Sequence, residues 1–384
     1  LNKPGPERIL AGLATEEIKQ LIARETGAKP FRGKQVADWL YRKTLPDQGG
    51  GANAQFAGMT DLPAGLRDEL AAKFDLIPLS LTQKAQDARD GTIKIVAALQ
   101  DGPHIESVLM PDENRVSVCL STQAGCPMAC SFCATGTQGL ARNLTAGEIV
   151  SQLLLLQSPC PRRVTHVVFM GMGEPLLNLQ NTLRAIGILN EEIGIAMRHI
   201  TVSTVGILPG IEKLAKENLQ ITLAVSLHAP NDTLRAQIVP VHRTYNLKKL
   251  MDACRRYFDT TGRRVTFEYI LLRGVNDNPK EAQELAELLK GFPCAVNLIP
   301  YNPTTVTEHF ERPEVSRIRA FRRTLESAGI TVTQRKERGQ QIAAACGQLV
   351  TERYREPKFS TPLPVLETPL PDRSNAREPA GARS

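Results

Sequence analysis

From residue 115 to about 335, short runs rich in β-branched residues alternate with longer amphipathic stretches, and no other feature of the chain constrains its fold as strongly. The short runs are Arg115–Ser121, Val164–Met170, Ile200–Thr204, Ile221–Leu227, Val265–Leu271 and Ala295–Ile299; helical patterns fill 145–157, 178–191, 207–217, 246–260 and 279–290. Strands separated by helices pair in parallel through crossover connections, so the segment reads as repeated βαβ units. Six such strands predict an α/β domain whose sheet is barrel-like or partly closed, with its chemistry in the loops beyond the carboxyl ends of the strands.

The chain ahead of this region reads differently. Residues 1–80 carry helical patterns at 15–26, 29–43 and 62–74 around a Gly-rich break at 49–51, which predicts a small N-terminal helical domain. Val36, Trp39 and Leu40 fall at helical spacing and are expected to face a core, leaving Arg32, Lys34, Arg42 and Lys43 as a solvated face or as phosphate contacts. Thr92–Leu99 and His104–Met110 alternate about Asp101-Gly102, so residues 81–114 are expected to lead as a β-hairpin linker into a catalytic domain at 115–350. Residues 351–384 lack apolar periodicity, are rich in Pro, Arg and Ser, and read as a disordered tail.

Within the expected barrel the chemistry-bearing residues fall just after strands. Cys126, Cys130 and Cys133 form a C-x3-C-x2-C triplet after the first. A tetrahedral zinc site takes four protein ligands and cubane electron carriers usually take four thiolates, so three close thiolates leave one metal position open. A fourth cysteine borrowed from elsewhere, or buried thiols spaced by chance, are the competing readings. Gly171-Met172-Gly173-Glu174-Pro175 follows the second strand, Ser203 ends the third, Ser226-Leu227-His228 the fourth, and Asn302 follows the sixth. The Gly-x-Gly run suits a simple turn as well as a close backbone approach to a ligand, with Glu174 able to accept from an ammonium. Ser203, Ser226 and Asn302 suit hydrogen bonds to ribose or carboxylate, or mere capping of strand ends, and His228 suits a packed imidazole.

Composition narrows the class. With 384 residues, 42% hydrophobic and 23% charged, the chain has the content of an ordinary globular protein large enough for a well-buried core. No run of about 18 apolar residues occurs, so no membrane span is expected, and neither a signal-peptide pattern nor secretory cysteine spacing is visible; a cytoplasmic location follows. Eight cysteines suit a reducing compartment where thiols serve metals or catalysis. The formal net charge of +7 permits nucleic-acid binding without requiring it. The pairs Arg162-Arg163, Arg255-Arg256, Arg263-Arg264 and Arg322-Arg323 are candidate phosphate contacts or plain surface charge.

Taken together, several motifs resemble one family. Lys29–Gln35, Cys119–Gly136, Arg142–Thr145, Gly171–Pro175, Ser226–Ala229, Leu271–Asp277, Asn297–Pro303 and Arg338–Leu349 resemble the RlmN/Cfr family of radical S-adenosylmethionine (SAM) methyltransferases, closest to its RlmN branch. The resemblance implies a partial (β/α)6 radical SAM barrel and a [4Fe–4S] cluster on Cys126, Cys130 and Cys133, with SAM chelating the open iron. It implies SAM contacts at Gly173, Glu174, Ser203, Ser226, Leu227, His228 and Asn302. The implied activity is methylation of adenosine C2 in the peptidyl transferase centre of 23S rRNA, and beside the anticodon in some tRNAs; the Cfr branch instead methylates C8 and confers antibiotic resistance. Two SAM molecules are consumed per turnover and a reduced flavodoxin- or ferredoxin-like donor supplies electrons. The resemblance makes Cys346 the carrier of an S-methyl group, Glu106 the proton acceptor and Cys119 the thiol that releases product through a transient Cys119–Cys346 disulfide. A monomer is expected. From the residues alone, Cys346 and Cys119 would be buried core thiols and Glu106 part of a solvated strand face. A non-catalytic iron–sulfur RNA-binding protein is the reading from another class.

Overall fold

The computed structural model describes residues 8–43, 56–157, 160, 162–304, 306–307 and 309–349, so the Gly-rich break and the C-terminal tail lie outside the described residues. The helices first described in full are α1 (Thr15–Thr26), α2 (Pro30–Tyr41) and α3 (Ala64–Lys73). Three antiparallel strands follow, β1 (Leu79–Gln86), β2 (Ile93–Leu99) and β3 (His104–Pro111), and β3 pairs antiparallel with β4 (Val116–Cys119). From β4 onward the main sheet is parallel, through β7 (His166–Phe169), β8 (Ile200–Thr204), β9 (Thr222–Ser226), β10 (Val265–Leu271), β11 (Cys294–Pro300) and β12 (Thr331–Gln334). A separate ribbon of β5 (Gln123–Cys126) and β6 (Gly139–Asn143) interrupts the order. The helices between strands are α4 (Ala146–Gln157), α5 (Leu179–Glu191), α6 (Leu208–Lys216), α7 (Asp232–Ile238), α8 (Leu247–Thr261), α9 (Pro279–Leu289) and α10 (Val315–Ser327).

The six expected strands are all present in one mixed α/β sheet, and the alternation places five helices within a residue or so of their expected bounds. The sheet extends beyond them at both edges. β1 carries Ser, Thr, Gln and Lys on mostly exposed positions and so lacks an apolar alternation, and β12 is a four-residue strand with one buried side chain. Its ten strands run in the open order β1-β2-β3-β4-β7-β8-β9-β10-β11-β12. Residues from β7, β8, β9, β10 and β11 nevertheless line one cavity. Four strand spacings of about 4.8 Å would hold the outer two roughly 19 Å apart in a flat sheet, so the sheet curves around a lumen.

The two faces of this curved sheet are chemically opposite. Val118, Val167, Val202, Leu223, Val225, Phe267, Val296 and Leu298 are buried in the apolar core with the helices. The alternate residues Ser117, Thr201, Ser203, Thr222, Ser226, Thr266 and Asn297 are only partly buried and face the lumen cavities. Parallel strands covered on both faces by apolar layers read as continuous hydrophobic runs. Here the period is two, because one face is a wet, polar concavity.

The helical region packs into the same core rather than beside it. Gly12, with φ +91°, meets Gly147 in the first turn of α4 so closely that a Cβ on Gly12 would lie 2.6 Å from the Gly147 nitrogen, and one on Gly147 would lie 2.4 Å from the Ala11 carbonyl oxygen. Around this contact the Tyr41 hydroxyl accepts from Gly12 N–H at 3.1 Å and donates to the Leu13 carbonyl at 2.7 Å, while Thr15 donates from N–H (2.9 Å) and hydroxyl (2.5 Å) to Glu192. Overpacking a close backbone approach costs about 1–3 kcal/mol. Gly147→Val is therefore expected to lose stability of about that size in denaturant unfolding, and an unchanged midpoint would contradict the contact.

Candidate functional site

The cysteine triplet sits on a loop whose ends are tied by the β5–β6 ribbon, where Cys126 pairs with Gly139. Ala129, with φ +51°, turns the chain between the first two cysteines, and Cys133 N–H donates to the Cys130 carbonyl at 3.1 Å. Burial pushes all three thiols above their ordinary range, with their mutual repulsion adding at Cys130. They are neutral thiols until a metal displaces their protons. Among the described residues no three His, Cys, Asp or Glu side chains converge on the position of one metal ion. A tetrahedral zinc site takes four protein ligands, whereas a cubane takes one thiolate per iron, so three thiols would leave one iron open.

The three thiols form one wall of a cavity at the carboxyl ends of the strands, with about 880 Å³ of atom-free space. Gly173, Glu174, Ser203, Ser226, His228 and Cys346 line the same cavity. Gly173 has φ +102° and a Cβ there would lie 2.6 Å from the Gln123 Cβ, so the turn can seat against β5 only as glycine. Glu174 is fully enclosed, its Oε2 accepting from Val205 N–H at 2.8 Å and its Oε1 from Leu176 N–H at 3.0 Å. Burial raises its carboxyl to about 7 against the pull of those donors. His228 occupies the left-handed region at φ +61°, and its Nδ1 accepts from Ile270 N–H at 3.1 Å, which leaves the ring proton on Nε2. Burial, with Arg235 adding, lowers it to about 3, so the imidazole is neutral. It packs edge-on to Phe132 of the cysteine loop at 4.8 Å. Leu227 is buried away from the cavity, its carbonyl accepting from Arg235 Nε at 3.0 Å.

Cys346 belongs to two cavities at once. It lines the cysteine-walled one and a second that also holds Cys119 and Asn302. The loop carrying it is fastened on both sides: Ala134 N–H donates to the Gly347 carbonyl at 2.8 Å, Thr135 Oγ1 to the Leu349 carbonyl at 2.7 Å, and Gly339 N–H to Asp90 at 2.9 Å. Asn302 Nδ2 reaches the Cys346 carbonyl at 3.4 Å, while its Oδ1 is buried without a partner among the described residues. Burial raises Cys119 to about 12, the neighbouring Cys346 raising it further and Arg335 opposing. All eight cysteines are free thiols.

Glu106 is buried on β3, with Lys94 Nζ 3.5 Å from its Oε1. Val108 is the register partner of Cys119, and Glu106 lies two residues from Val108 on the same face. Its burial overturns the solvated-strand expectation: its N–H meets Met172 Sδ at 3.4 Å, its carbonyl accepts from Ser121 Oγ at 2.7 Å, and Lys94 Nζ beside it also donates to the Ala343 carbonyl at 3.3 Å.

The triplet, Gly173, Glu174, Ser203, Ser226, His228 and Cys346 thus meet at one cavity; Cys119 and Asn302 meet Cys346 in the next; Glu106 and Leu227 line neither. Three residues were not anticipated. Glu268 is a carboxylate inside the apolar run of β10, an anomaly visible in the sequence, and lines the first cavity with Asn297 Nδ2 at 2.8 Å. Arg335 lines both cavities after β12, a strand too short to be recognised. Arg235, fully buried, clamps the ends of β8 and β9 by donating to the Val205 (2.7 Å), Ser226 (3.2 Å) and Leu227 carbonyls. Of the paired arginines, Arg162, Arg163, Arg256, Arg263 and Arg322 make hydrogen bonds or ion pairs within the molecule, and Arg255 stacks over the Phe292 ring.

Residues 120–289 match the radical SAM superfamily model, and residues 9–76 match the ribosomal RNA large subunit methyltransferase N-terminal domain. A probable dual-specificity RNA methyltransferase RlmN of Thermosynechococcus vestitus is 49% identical over 342 residues, covering 89% of this chain and 98% of the relative. The protein of the same description from Symbiobacterium thermophilum is 48% identical over 344 residues, 88% of this chain and 90% of the relative. The crystal structure of a radical SAM methyltransferase from Sphaerobacter thermophilus superposes with a TM-score of 0.82 at 46% identity, covering 90% of this chain and 99% of the other.

The elevated carboxyl of Glu174 sets a pH dependence for the metal-free protein. Its folded value of about 7 lies above the ordinary glutamate value of 4.5, so the folded state holds the extra proton between them. The contribution to stability is full below the lower value and is lost as pH rises through the upper one. Glu174→Gln is expected to flatten that loss, by at most about 3 kcal/mol, when unfolding of the two proteins is compared from pH 5 to pH 8; parallel curves would contradict the burial argument.

Proposed function

Because the chain belongs to the RlmN family of radical SAM RNA methyltransferases, we propose that it methylates C2 of an adenosine in the peptidyl transferase centre of 23S rRNA and C2 of the adenosine beside the anticodon in some tRNAs. Membership implies a [4Fe–4S] cluster, SAM and an RNA substrate. The observation that carries the proposal is Cys346, shared between the cavity walled by the cysteine triplet and the cavity holding Cys119. A reaction that hands a one-carbon unit from a cofactor to RNA through a protein thiol needs that thiol at such a boundary.

Cys126, Cys130 and Cys133 would hold the cluster, and SAM would be held by Gly173, Glu174, Ser203, Ser226 and His228 from the same cavity, with Asn302 from the adjoining one and Leu227 setting the backbone between Ser226 and His228. When bound, the cluster and SAM supply the methyl donor and the one-electron chemistry needed because an sp2 ring carbon of adenine is no nucleophile, with two SAM molecules used per turnover. Cys346 would take the methyl group on sulfur; after that methyl has given up one hydrogen atom to the one-electron chemistry the cofactors supply, its carbon would bond to the adenine ring and the adduct would return one electron, tying enzyme to RNA. Glu106 accepts the ring proton. The Cys119 thiolate then attacks the Cys346 sulfur, so that the sulfur–carbon bond breaks, the Cys119–Cys346 disulfide forms and the methylated base leaves. Burial holds the Cys119 thiol up at about 12 in the resting protein, and the Arg335 guanidinium works in the opposite direction, favouring the thiolate.

A flavodoxin- or ferredoxin-like protein is proposed as electron donor, and the enzyme as a cytoplasmic monomer. Among the described residues no helix is long and apolar enough to cross a membrane.

Nucleoside mass spectrometry of RNA treated in vitro should show 2-methyladenosine; 8-methyladenosine as sole product would instead support the Cfr-type reaction. Replacing Cys126, Cys130 or Cys133 with Ala should abolish iron binding and SAM cleavage, and full iron content in any of the three would refute the ligand assignment. Cys119→Ala, isolated from cells, should carry covalently attached RNA, whereas Cys346→Ala and the double variant should carry none. RNA-free Cys119→Ala protein that turns over normally would rule out the disulfide step.

A further inference from the structure

Below the candidate active site the lumen opens into a second chamber at the amino ends of the parallel strands. It has about 1480 Å³ of atom-free space, more than the 880 Å³ of the upper cavity, and is separated from it by the shared side chains Met170, Glu268 and Arg335. A (β/α) barrel interior is ordinarily filled by branched apolar side chains. Here its wall carries hydroxyls instead, and those of Ser117, Thr201, Thr222 and Thr266 make no side-chain hydrogen bond among the described residues. The charge is one-sided: five basic side chains line the chamber against the carboxylates Asp112 and Glu268. Asp112 is taken up by Arg338 at 2.8 Å and Arg115 at 3.8 Å, and Glu268 by Asn297. Arg198 and Lys336 at the mouth, and Arg335 at the inner end, make no close carboxylate ion pair among the described residues; Lys336 acts on Asp112 and Arg335 on Glu268 only at longer range, and the hydrogen bond of the Arg335 guanidinium goes to the weak acceptor Met170 Sδ, at 3.1 Å.

A guanidinium at the inner end, a ring of hydroxyls in the wall and two further cations at the mouth outnumber the chamber's two carboxylates and form a donor set that suits an anion. Phosphate oxygens match guanidinium forks and hydroxyl donors better than a single carboxylate, whose two oxygens cannot reach both ends of the chamber. We propose that the lower chamber binds a diphosphate-bearing small anion, of the size of a nucleotide, between Arg198 and Lys336 at its mouth and Arg335 at its inner end. The site is distinct from the one assigned to SAM, and its existence does not depend on the roles of the two thiols. Because Arg335 also lines the cavities of Cys346 and Cys119, an occupant would share the cation that those thiols face.

The test is calorimetric titration of the cluster-loaded full-length protein, saturated with SAM, with inorganic pyrophosphate and separately with ADP. Saturable binding of one equivalent is expected, the tighter of the two probes identifying whether a free inorganic or a nucleotide diphosphate fits. Arg198→Ala combined with Lys336→Ala, both exposed and so harmless to folding, should weaken binding at least tenfold, and Thr222→Val should weaken it in the same direction. Arg256→Ala, which removes an exposed arginine paired with Glu212 elsewhere on the surface, should leave it unchanged. No saturable binding of either probe, binding undiminished in the Arg198→Ala, Lys336→Ala protein, or an equal loss in Arg256→Ala would each overturn the proposal.

Discussion

The loop from Arg338 to Leu349 holds the site together, and it has almost no regular structure of its own. Its position is fixed by hydrogen bonds to elements far apart in the chain. Asp87 and Asp90, from the turn between β1 and β2, accept from Gln341 N–H at 3.2 Å and Gly339 N–H at 2.9 Å. At the other end the cysteine loop and the strand-end segment after β11 take hold of Cys346, Gly347, Gln348 and Leu349. Each such bond contributes only about 1 kcal/mol net. Together they set a thiol at the boundary between two cavities, a placement no single strand or helix provides. The antiparallel strands β1–β3 therefore serve the chemistry as an anchorage, which explains why the sheet extends past the parallel strands on that side.

Curvature and face chemistry supply the rest. Apolar residues on the outward positions bind the helices, while the inward positions carry hydroxyls, an amide and a carboxylate around a lumen that stays accessible. Burial then sorts the ionisable groups. It lifts Glu174 and the thiols and lowers His228, so in the metal-free site the thiols and the imidazole are uncharged, the Glu174 carboxyl titrates near neutral pH, and two arginines, Arg235 and Arg335, neighbour them. An enclosed site of protonated thiols binds a cationic or metal-containing cofactor by exchanging protons for it, which couples cofactor loading to pH in the direction of tighter binding at higher pH.

The sequence conveyed the periodic part of this architecture. Period-two runs and amphipathic stretches located the six parallel strands and their helices, and the residues just past strand ends, from Cys126 to His228, do meet at one cavity. What it did not convey follows physical lines. β12 and β1 bury too few side chains to leave a pattern, and α7 is seven residues long. Arg335 is informative only once β12 is known, and Arg235 looks like a surface arginine until its three carbonyl partners are seen. Glu268 stood out in an apolar strand and would have been legible as a lumen group. The thiols Cys119 and Cys346, far apart in the chain, are brought to one cavity by a loop without periodicity, so residue patterns alone could not pair them; the family resemblance did.

The central claim is that the two thiols at this boundary have different tasks, with the methyl group carried by Cys346 alone. Peptide mass spectrometry of cluster-loaded protein incubated with SAM in the absence of RNA tests it most directly. The account predicts one added methyl group on the peptide containing Cys346 and none on the peptide containing Cys119. A methyl group on Cys119, or none on either peptide while the same preparation methylates RNA, would contradict it.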